Sequence, residues 1–171
     1  MIYTIVPAKN EEEKIDKTLN MLLKTSTDKI IVVVNGSTDN TFMRVLNINS
    51  DRIQPVLINK PLGLDIPRSV GAFLAYNSEA TGFIFVDGDM CGNIHHNIDE
   101  IIFDISYNNI DMGLTDCYSE FPSNSNITKV LLSFRRQLNL ELGVYHKISH
   151  AIPSHAPHGV SRRLIDKIGF Q

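Results

Sequence analysis

The sequence predicts an α/β protein with a mostly parallel central sheet and helices on both faces. Two observations lead there. Short, apolar, β-branched runs alternate with longer stretches of helical periodicity through the first half of the chain. One of those runs, Ile30-Ile-Val-Val-Val34, is apolar throughout, the pattern of a strand covered on both faces.

The elements follow in order. Ile2 to Val6 is a short β-branched strand ended by Pro7. Glu11 to Lys24 sets Ile15, Leu19, Leu22 and Leu23 at helical spacing, with Glu11, Glu12 and Glu13 favourable in a first turn. The strand Ile30–Val34 is closed by Asn35-Gly-Ser-Thr-Asp39, a dense turn signal, after which Asp39 or Asn40 can cap a helix running through Leu46. Ile53 to Ile58 is a third strand, and Pro55 inside it argues for a sheet edge. A helix from about Asp65 to Tyr76 leads to a fourth strand, Phe83 to Val86. Strands and helices alternating in this way imply right-handed crossovers.

The second half is less regular. A helix over Ile98–Tyr107 and a short strand over Ile110–Leu114 precede a polar, turn-forming loop at Ser119–Asn126. Lys129–Leu142 is amphipathic, with Val130, Leu131, Phe134, Leu138 and Leu142 as its expected buried stripe. A histidine-rich stretch, His146–His158, leads to a last helix over Ser161–Ile168. No repeat or linker is evident, so residues 1–171 are expected to form a single domain.

Composition narrows the class. The 171 residues are 43% hydrophobic and 20% charged, ordinary values for a globular protein. A formal net charge of −3 leaves no electrostatic footprint of a nucleic-acid binder. Cys91 and Cys117 have neither metal-ligand nor disulfide spacing and are expected to be small, partly buried residues. Met1 leads directly into the first strand without a basic region or a long apolar run. That pattern argues against a signal peptide and a transmembrane segment, so the cytoplasm is the expected compartment and any membrane association would be peripheral.

In an open α/β sheet, ligands bind beyond the carboxyl ends of the strands. Four sequence features fall there: Pro7-Ala-Lys-Asn-Glu11, Asn35-Gly-Ser-Thr-Asp39, Gly63 to Arg68, and Asp87-Gly-Asp89. The last carries the most chemistry. Two carboxylates one residue apart after an apolar strand can turn toward one hard cation, Mg²⁺ or Mn²⁺, which keeps its other positions for phosphate oxygens. Such a cation neutralises charge on a leaving diphosphate. The alternative is a simple turn, which all three residues favour.

On these residues the chain resembles family-2 glycosyltransferases of the GT-A fold. Ile5-Val-Pro-Ala-Lys-Asn-Glu11 resembles the family's opening loop, and Gly36-Ser-Thr-Asp-Asn-Thr41 its second-strand loop. Asp87-Gly-Asp89 resembles its DxD signature. Gly63-Leu64 with Arg68 and Gly71 resembles its Gly-Leu-x-x-x-Arg-x-x-Gly pattern, and Gly159–Phe170 its acceptor-side segment. The resemblance implies a nucleotide-sugar-binding half over 1–90 and an acceptor-side half over 91–171. It implies transfer from a nucleoside diphosphate sugar to an acceptor hydroxyl, metal-dependent and inverting.

Residue by residue, the resemblance implies that Pro7, Ala8 and Glu11 line the nucleoside pocket, with Glu11 toward the ribose hydroxyls or, alternatively, a helix N-terminal charge. Asn35 would face the base. Arg68 would lie near the base or diphosphate, the alternative being a surface ion pair. Asp87 would approach the ribose and metal, Gly88 would belong to the nucleotide-sugar site, and Asp89 would ligate the metal directly. By analogy with enzymes that add a late histidine to the metal, His158 is a candidate third ligand and His155 a second choice; the alternative is that both are loop histidines without a ligand.

The chain departs from the family in three places. Val34 and Asn35 stand where an acidic residue is usual, which leaves the choice of nucleotide open. Asp65-Ile-Pro67 replaces small residues. The family's catalytic base belongs to a motif beyond the segment matching Gly169-Phe170, so no base is assigned, and the sequence is expected to be either truncated or a naturally short form; Asp116 and Glu120 are conceivable substitutes. Two other functions compete: a nucleotide-sugar-binding domain with impaired catalysis, and a sugar-phosphate nucleotidylyltransferase. The latter is disfavoured because Pro7–Glu11 lacks the glycines of a triphosphate loop.

Overall fold

The computed structural model describes residues 1–115 and 157–169, together with Val130, Ser133, Phe134, Gln137 and Glu141. The chain forms two compact units, Met1–Gly113 with Ala156–Gln171, and Leu114–His155. Strands β1 (Ile2–Ala8), β2 (Lys29–Asn35), β3 (Ile53–Ile58) and β4 (Gly82–Phe85) alternate with helices α1 (Ile15–Leu22), α2 (Thr41–Asn47) and α3 (Asp65–Asn77). Then come α4 (His95–Tyr107), β5 (Met112–Leu114), β6 (His158–Ser161) and α5 (Arg162–Ile168). The six strands form one sheet in the order β3-β2-β1-β4-β6-β5. The pairs β1–β2, β2–β3 and β1–β4 are parallel, and β6 runs antiparallel to β4. No helix among the described residues is long and apolar enough to cross a membrane.

The period-two geometry of the strands divides the core into two layers. Ile2 and Val6 of β1, with Ile30, Val32 and Val34 of β2, pack with Ile15, Leu19 and Leu22 of α1 and with Ile98, Ile101 and Ile105 of α4. The intervening residues Tyr3, Ile5, Ile31 and Val33 pack with Ala72 and Ala75 of α3 and Ile165 of α5. Five consecutive β2 residues, Ile30 to Val34, are completely buried, as their unbroken apolar run requires. Pro55 sits on edge strand β3, where its missing N–H breaks no ladder on the open side.

Helix α1 begins later than its periodicity suggests. Asn10 adopts a positive φ of 55°, and the N–H of Glu11 donates to Thr41 Oγ1 at 2.7 Å. The Glu12 N–H donates to Asp39 Oδ2 at 3.2 Å. Side chains at the start of α2 thus satisfy first-turn donors that have no acceptor within the helix, and Glu11, whose carbonyl accepts from Ile15 N–H at 2.8 Å, sits ahead of α1. At the other end Arg52 donates to the carbonyls of Leu23 (2.9 Å), Thr25 (2.8 Å) and Thr27 (2.5 Å). Arg52→Ala strands three acceptors at a helix C-terminus. It should lower the stability read by urea unfolding by about 2 kcal/mol, the range for hydrogen bonds to a charged group.

Strand β6 joins the end of the histidine-rich stretch to the last helix, where no strand is expected from the sequence. It is locked by Asp111, whose carbonyl accepts from Ser161 N–H (2.9 Å) and whose Oδ1 accepts from Ser161 Oγ (2.8 Å) and Arg163 Nε (2.7 Å). Ser161 also caps α5 by accepting from Leu164 N–H at 3.1 Å. The hydrogen bonds from Ser161 and Arg163 hold the Asp111 carboxyl below the usual aspartate range. A depressed carboxylate stabilises the fold fully above its ordinary pKa near ~4, and that stabilisation is lost as pH falls through the depressed value. Asp111→Asn should therefore lower stability at neutral and alkaline pH and flatten the acid side of a stability-versus-pH curve, so that the two proteins converge at low pH.

Val130 and Phe134, expected on a buried stripe, are 66% and 69% exposed. Helical spacing puts residues four apart on one face but does not say which face turns inward, and here that face meets solvent. Cys91, expected to be partly buried, is exposed. The Ser119–Asn126 loop, Leu131, Leu138, Leu142, Cys117, His155, Asp116 and Glu120 lie outside the described residues.

Candidate functional site

The loops after β1, β2, β3 and β4 meet over the carboxyl ends of those strands, where they enclose a cleft of about 480 Å³. Pro7, Ala8, Lys9 and Glu11 contribute from the β1–α1 segment and Asn35 from the end of β2. Gly63, Leu64, Pro67 and Arg68 come from the β3–α3 segment, and Asp87, Gly88 and Asp89 follow β4. The volume falls in the ~300–1,000 Å³ span of small-molecule sites. Its position follows from topology. The chain steps outward from β1 to β2 and β3 and then returns to β4 on the other side of β1, and a crevice opens where the order reverses.

Polar side chains from the Gly36–Thr41 run hold the first loop rather than the cleft. Ser37 Oγ accepts from Asn10 N–H (3.0 Å), and Asn10 Oδ1 accepts from Thr38 N–H (2.8 Å). Glu12 Oε2 accepts from Asn40 N–H (2.9 Å), reciprocating the Asp39–Glu12 bond. Burial alone would raise the Asp39 carboxyl, but hydrogen bonds from the Thr41 hydroxyl and N–H and from Glu12 N–H hold it below the usual range. Gly36 has a φ of 62°, and a Cβ there would lie 2.4 Å from Pro61 N.

The Asp87-Gly-Asp89 loop is pressed onto the end of β1. Gly88 N–H donates to Pro7 O at 3.1 Å, and a Cβ on Gly88 would come within 2.9 Å of Ala8 Cβ. Gly88 is thus required by the close approach that brings the two aspartates beside Pro7 and Ala8.

Each aspartate faces a base. Arg68 Nη2 donates to Asp87 Oδ1 at 2.7 Å, and Lys14 Nζ lies 3.7 Å from Asp89 Oδ2. Arg68 Nε is buried without a hydrogen-bond partner among the described residues, an orphan donor beside the cleft. Glu11 has its carboxyl held above the usual glutamate range by burial and then by the charges of Asp89, Asp39 and Asp87, with Lys14 opposing. The field at this end of the cleft resists further negative charge, which is the condition that favours a cation there.

Asn35, read as facing a base, is 3% exposed and holds a loop. Its Nδ2 donates to Gly63 O at 2.7 Å, and its Oδ1 accepts from Leu62 N–H at 3.0 Å. His158 pairs in register with Phe85 and stacks on its ring, centroids 4.9 Å apart. Among the described residues no three His, Cys, Asp or Glu side chains gather around one point. The His158 imidazole packs on the sheet through this stack. Arg162 and Arg163 of the acceptor-like segment are structural: Arg162 lies 3.8 Å over the Tyr76 ring and donates to the Tyr76 and Ala80 carbonyls, while Arg163 binds Asp111. Lys9, Gly63, Leu64 and Pro67 line the cleft but were not singled out as ligand contacts. All four lie within the strand-end segments Pro7–Glu11 and Gly63–Arg68, so the signal for them is membership of those segments rather than any chemistry of their own.

A 3-2-1-4 parallel order, with paired aspartates at the switch between its first and fourth strands, defines a GT-A-type α/β domain. The chain belongs to glycosyl transferase family 2, whose sequence pattern matches residues 3–168. It is similar to residues 1–349 of TarS from S. aureus, solved with UDP: 27% identity, TM-score 0.54, covering 66% of this chain and 34% of that one. It is also similar to glucosyl-3-phosphoglycerate synthase from Mycobacterium tuberculosis, solved with Mn²⁺, UDP and glucosyl-3-phosphoglycerate: 21% identity, TM-score 0.69, covering 96% of this chain and 58% of that one. The same synthase with Mn²⁺, UDP-glucose and phosphoglyceric acid gives 22% identity and a TM-score of 0.67, covering 96% and 57%. The chain thus spans about a third of the first protein and under two thirds of the second. No curated protein matches it.

Proposed function

We propose that this chain is the donor-binding part of a glycosyltransferase, which binds a nucleoside diphosphate sugar with Mg²⁺ or Mn²⁺ and passes the sugar to an acceptor hydroxyl with inversion. The observation that carries the reading is the convergence of four strand-end loops on one cleft whose acidic end presents Asp87 and Asp89. Their carboxylates suit a hard cation, and two protein ligands suffice where phosphate oxygens complete the shell. When bound, the cation offsets charge developing on the leaving diphosphate.

The chain's own residues supply the rest. Arg68 Nε has no hydrogen-bond partner among the described residues and is a donor suited to a phosphate oxygen. Pro7 and Ala8 form an apolar wall for the nucleoside, and Glu11 offers a carboxylate to the ribose hydroxyls. Asn35 acts on the base side by holding the Leu62–Gly63 backbone in place. The group that takes the acceptor's proton is left unassigned.

Calorimetric titration of UDP, GDP and their sugars, with and without Mn²⁺, tests the reading. One nucleotide should bind in a Mn²⁺-linked manner, and an acceptor mixture should release free nucleoside diphosphate. Linked binding without release would leave a binding domain. Absence of linked binding would sink the metal site altogether.

A further inference from the structure

Thr18 lies on α1, outside the lining of the cleft, and is completely buried. Its hydroxyl oxygen is 2.9 Å from the carbonyl oxygen of Gly88 and 2.9 Å from that of Met90. Those two carbonyls flank Asp89. A third contact, to Lys14 O at 3.4 Å within the helix, is longer. A threonine hydroxyl has one proton, so it is shared between the two loop acceptors, and α1 holds the backbone on both sides of Asp89 from a single point.

The Asp89 side chain cannot fix its own direction. It is 50% exposed, and its recorded charge partner, Lys14 Nζ, is half-exposed at 3.7 Å. An ion pair of that kind orients little. What aims the carboxylate is its backbone, which the Met90 N–H bond to Asp87 O (3.0 Å) closes into a turn, the Gly88 N–H bond to Pro7 ties to β1, and Thr18 alone among the described residues anchors to α1 by a side chain.

We infer that Thr18 is the positioning residue for the Asp89 carboxylate, setting how well the loop accepts a divalent cation. The inference rests on the reading of Asp89 as a metal ligand. Outer-shell groups that orient a ligand typically alter metal affinity by about 10- to 100-fold.

The test uses the ratio of nucleoside diphosphate affinity with Mn²⁺ to that without, measured within each protein by calorimetry, using whichever of UDP or GDP shows Mn²⁺-linked binding to the unaltered chain. Thr18→Val should lower the ratio by about tenfold, with metal-free affinity unchanged, and Thr18→Ser, which restores the hydroxyl, should return it. Asp89→Ala should abolish the linkage. If Asp89→Ala abolishes it but Thr18→Val leaves the ratio intact, the positioning role is wrong and the metal reading stands. If Asp89→Ala keeps the linkage, or neither UDP nor GDP shows any, the metal reading fails and takes this inference with it. A purely structural role would weaken binding equally with and without Mn²⁺, leaving the ratio unchanged and overturning the proposal. Should Thr18→Val fail to fold, Thr18→Ala decides by the same ratio, since folding losses cancel within one protein.

Discussion

Asp89→Ala is expected to remove the Mn²⁺-dependent part of nucleotide binding, weakening affinity in the presence of Mn²⁺ by on the order of 100-fold, or about 2.7 kcal/mol. The fold should barely respond. Asp89 is half-exposed and its pair with Lys14 spans 3.7 Å, an arrangement that contributes about 0–1 kcal/mol to stability. One further consequence separates an electrostatic role from a merely local one. After burial, the Asp89 charge is the largest influence raising the Glu11 carboxyl, so its removal should bring Glu11 back toward the ordinary glutamate range. Carboxyl titration followed by NMR would read this directly. An unmoved Glu11 would mean that the two carboxyls do not share a field.

Gly159→Val is expected to carry the largest stability cost, about 3 kcal/mol or more in chemical denaturation, the upper end for overpacked cores. A Cβ at 159 would stand 2.5 Å from Ile101 Cγ2, 2.7 Å from Ile84 Cδ1 and 2.8 Å from Ile105 Cδ1. All three neighbours are buried in the core, at 6%, 0% and 8% exposure, so none can swing into solvent to make room. Gly159→Ala should cost less but in the same direction. Nucleotide affinity of the folded fraction should stay near that of the unaltered chain, because β6 braces β4 rather than lining the cleft. A Gly159→Val protein of unaltered midpoint would show that α4 can shift away from the sheet.

Much of the frame can be read locally because it depends on local physics. The Ile30–Val34 run can be soluble only if covered on both faces, and it is. Pro55 cannot donate to a ladder, and its strand is an edge. Asp87-Gly-Asp89 directly after an apolar strand announces its own place at a strand end, and Gly88 is the residue small enough to let that loop touch β1. These features specify an α/β sheet and the rim on which ligands sit.

Other decisions belong to partners far away in the chain. Glu11 opens a run of helical periodicity, yet its backbone is held ahead of α1 by Thr41, thirty residues on. Asn35 looked available to a base until its amide met Leu62 and Gly63. His158 sits in a strand that pairs with β4, where its ring stacks on Phe85, a neighbour far away in the chain. Thr18 has no signal at all among helical residues of its type; its bond to the Asp87-Gly-Asp89 loop spans 70 positions. The sequence by itself determined the sheet, its faces and the acidic loop at its rim, because apolar periodicity and turn chemistry act over a few residues. Only the tertiary structure decided which polar side chains remain free for a ligand, because each hydrogen-bonding group is claimed by whatever the folded chain brings within 3 Å of it.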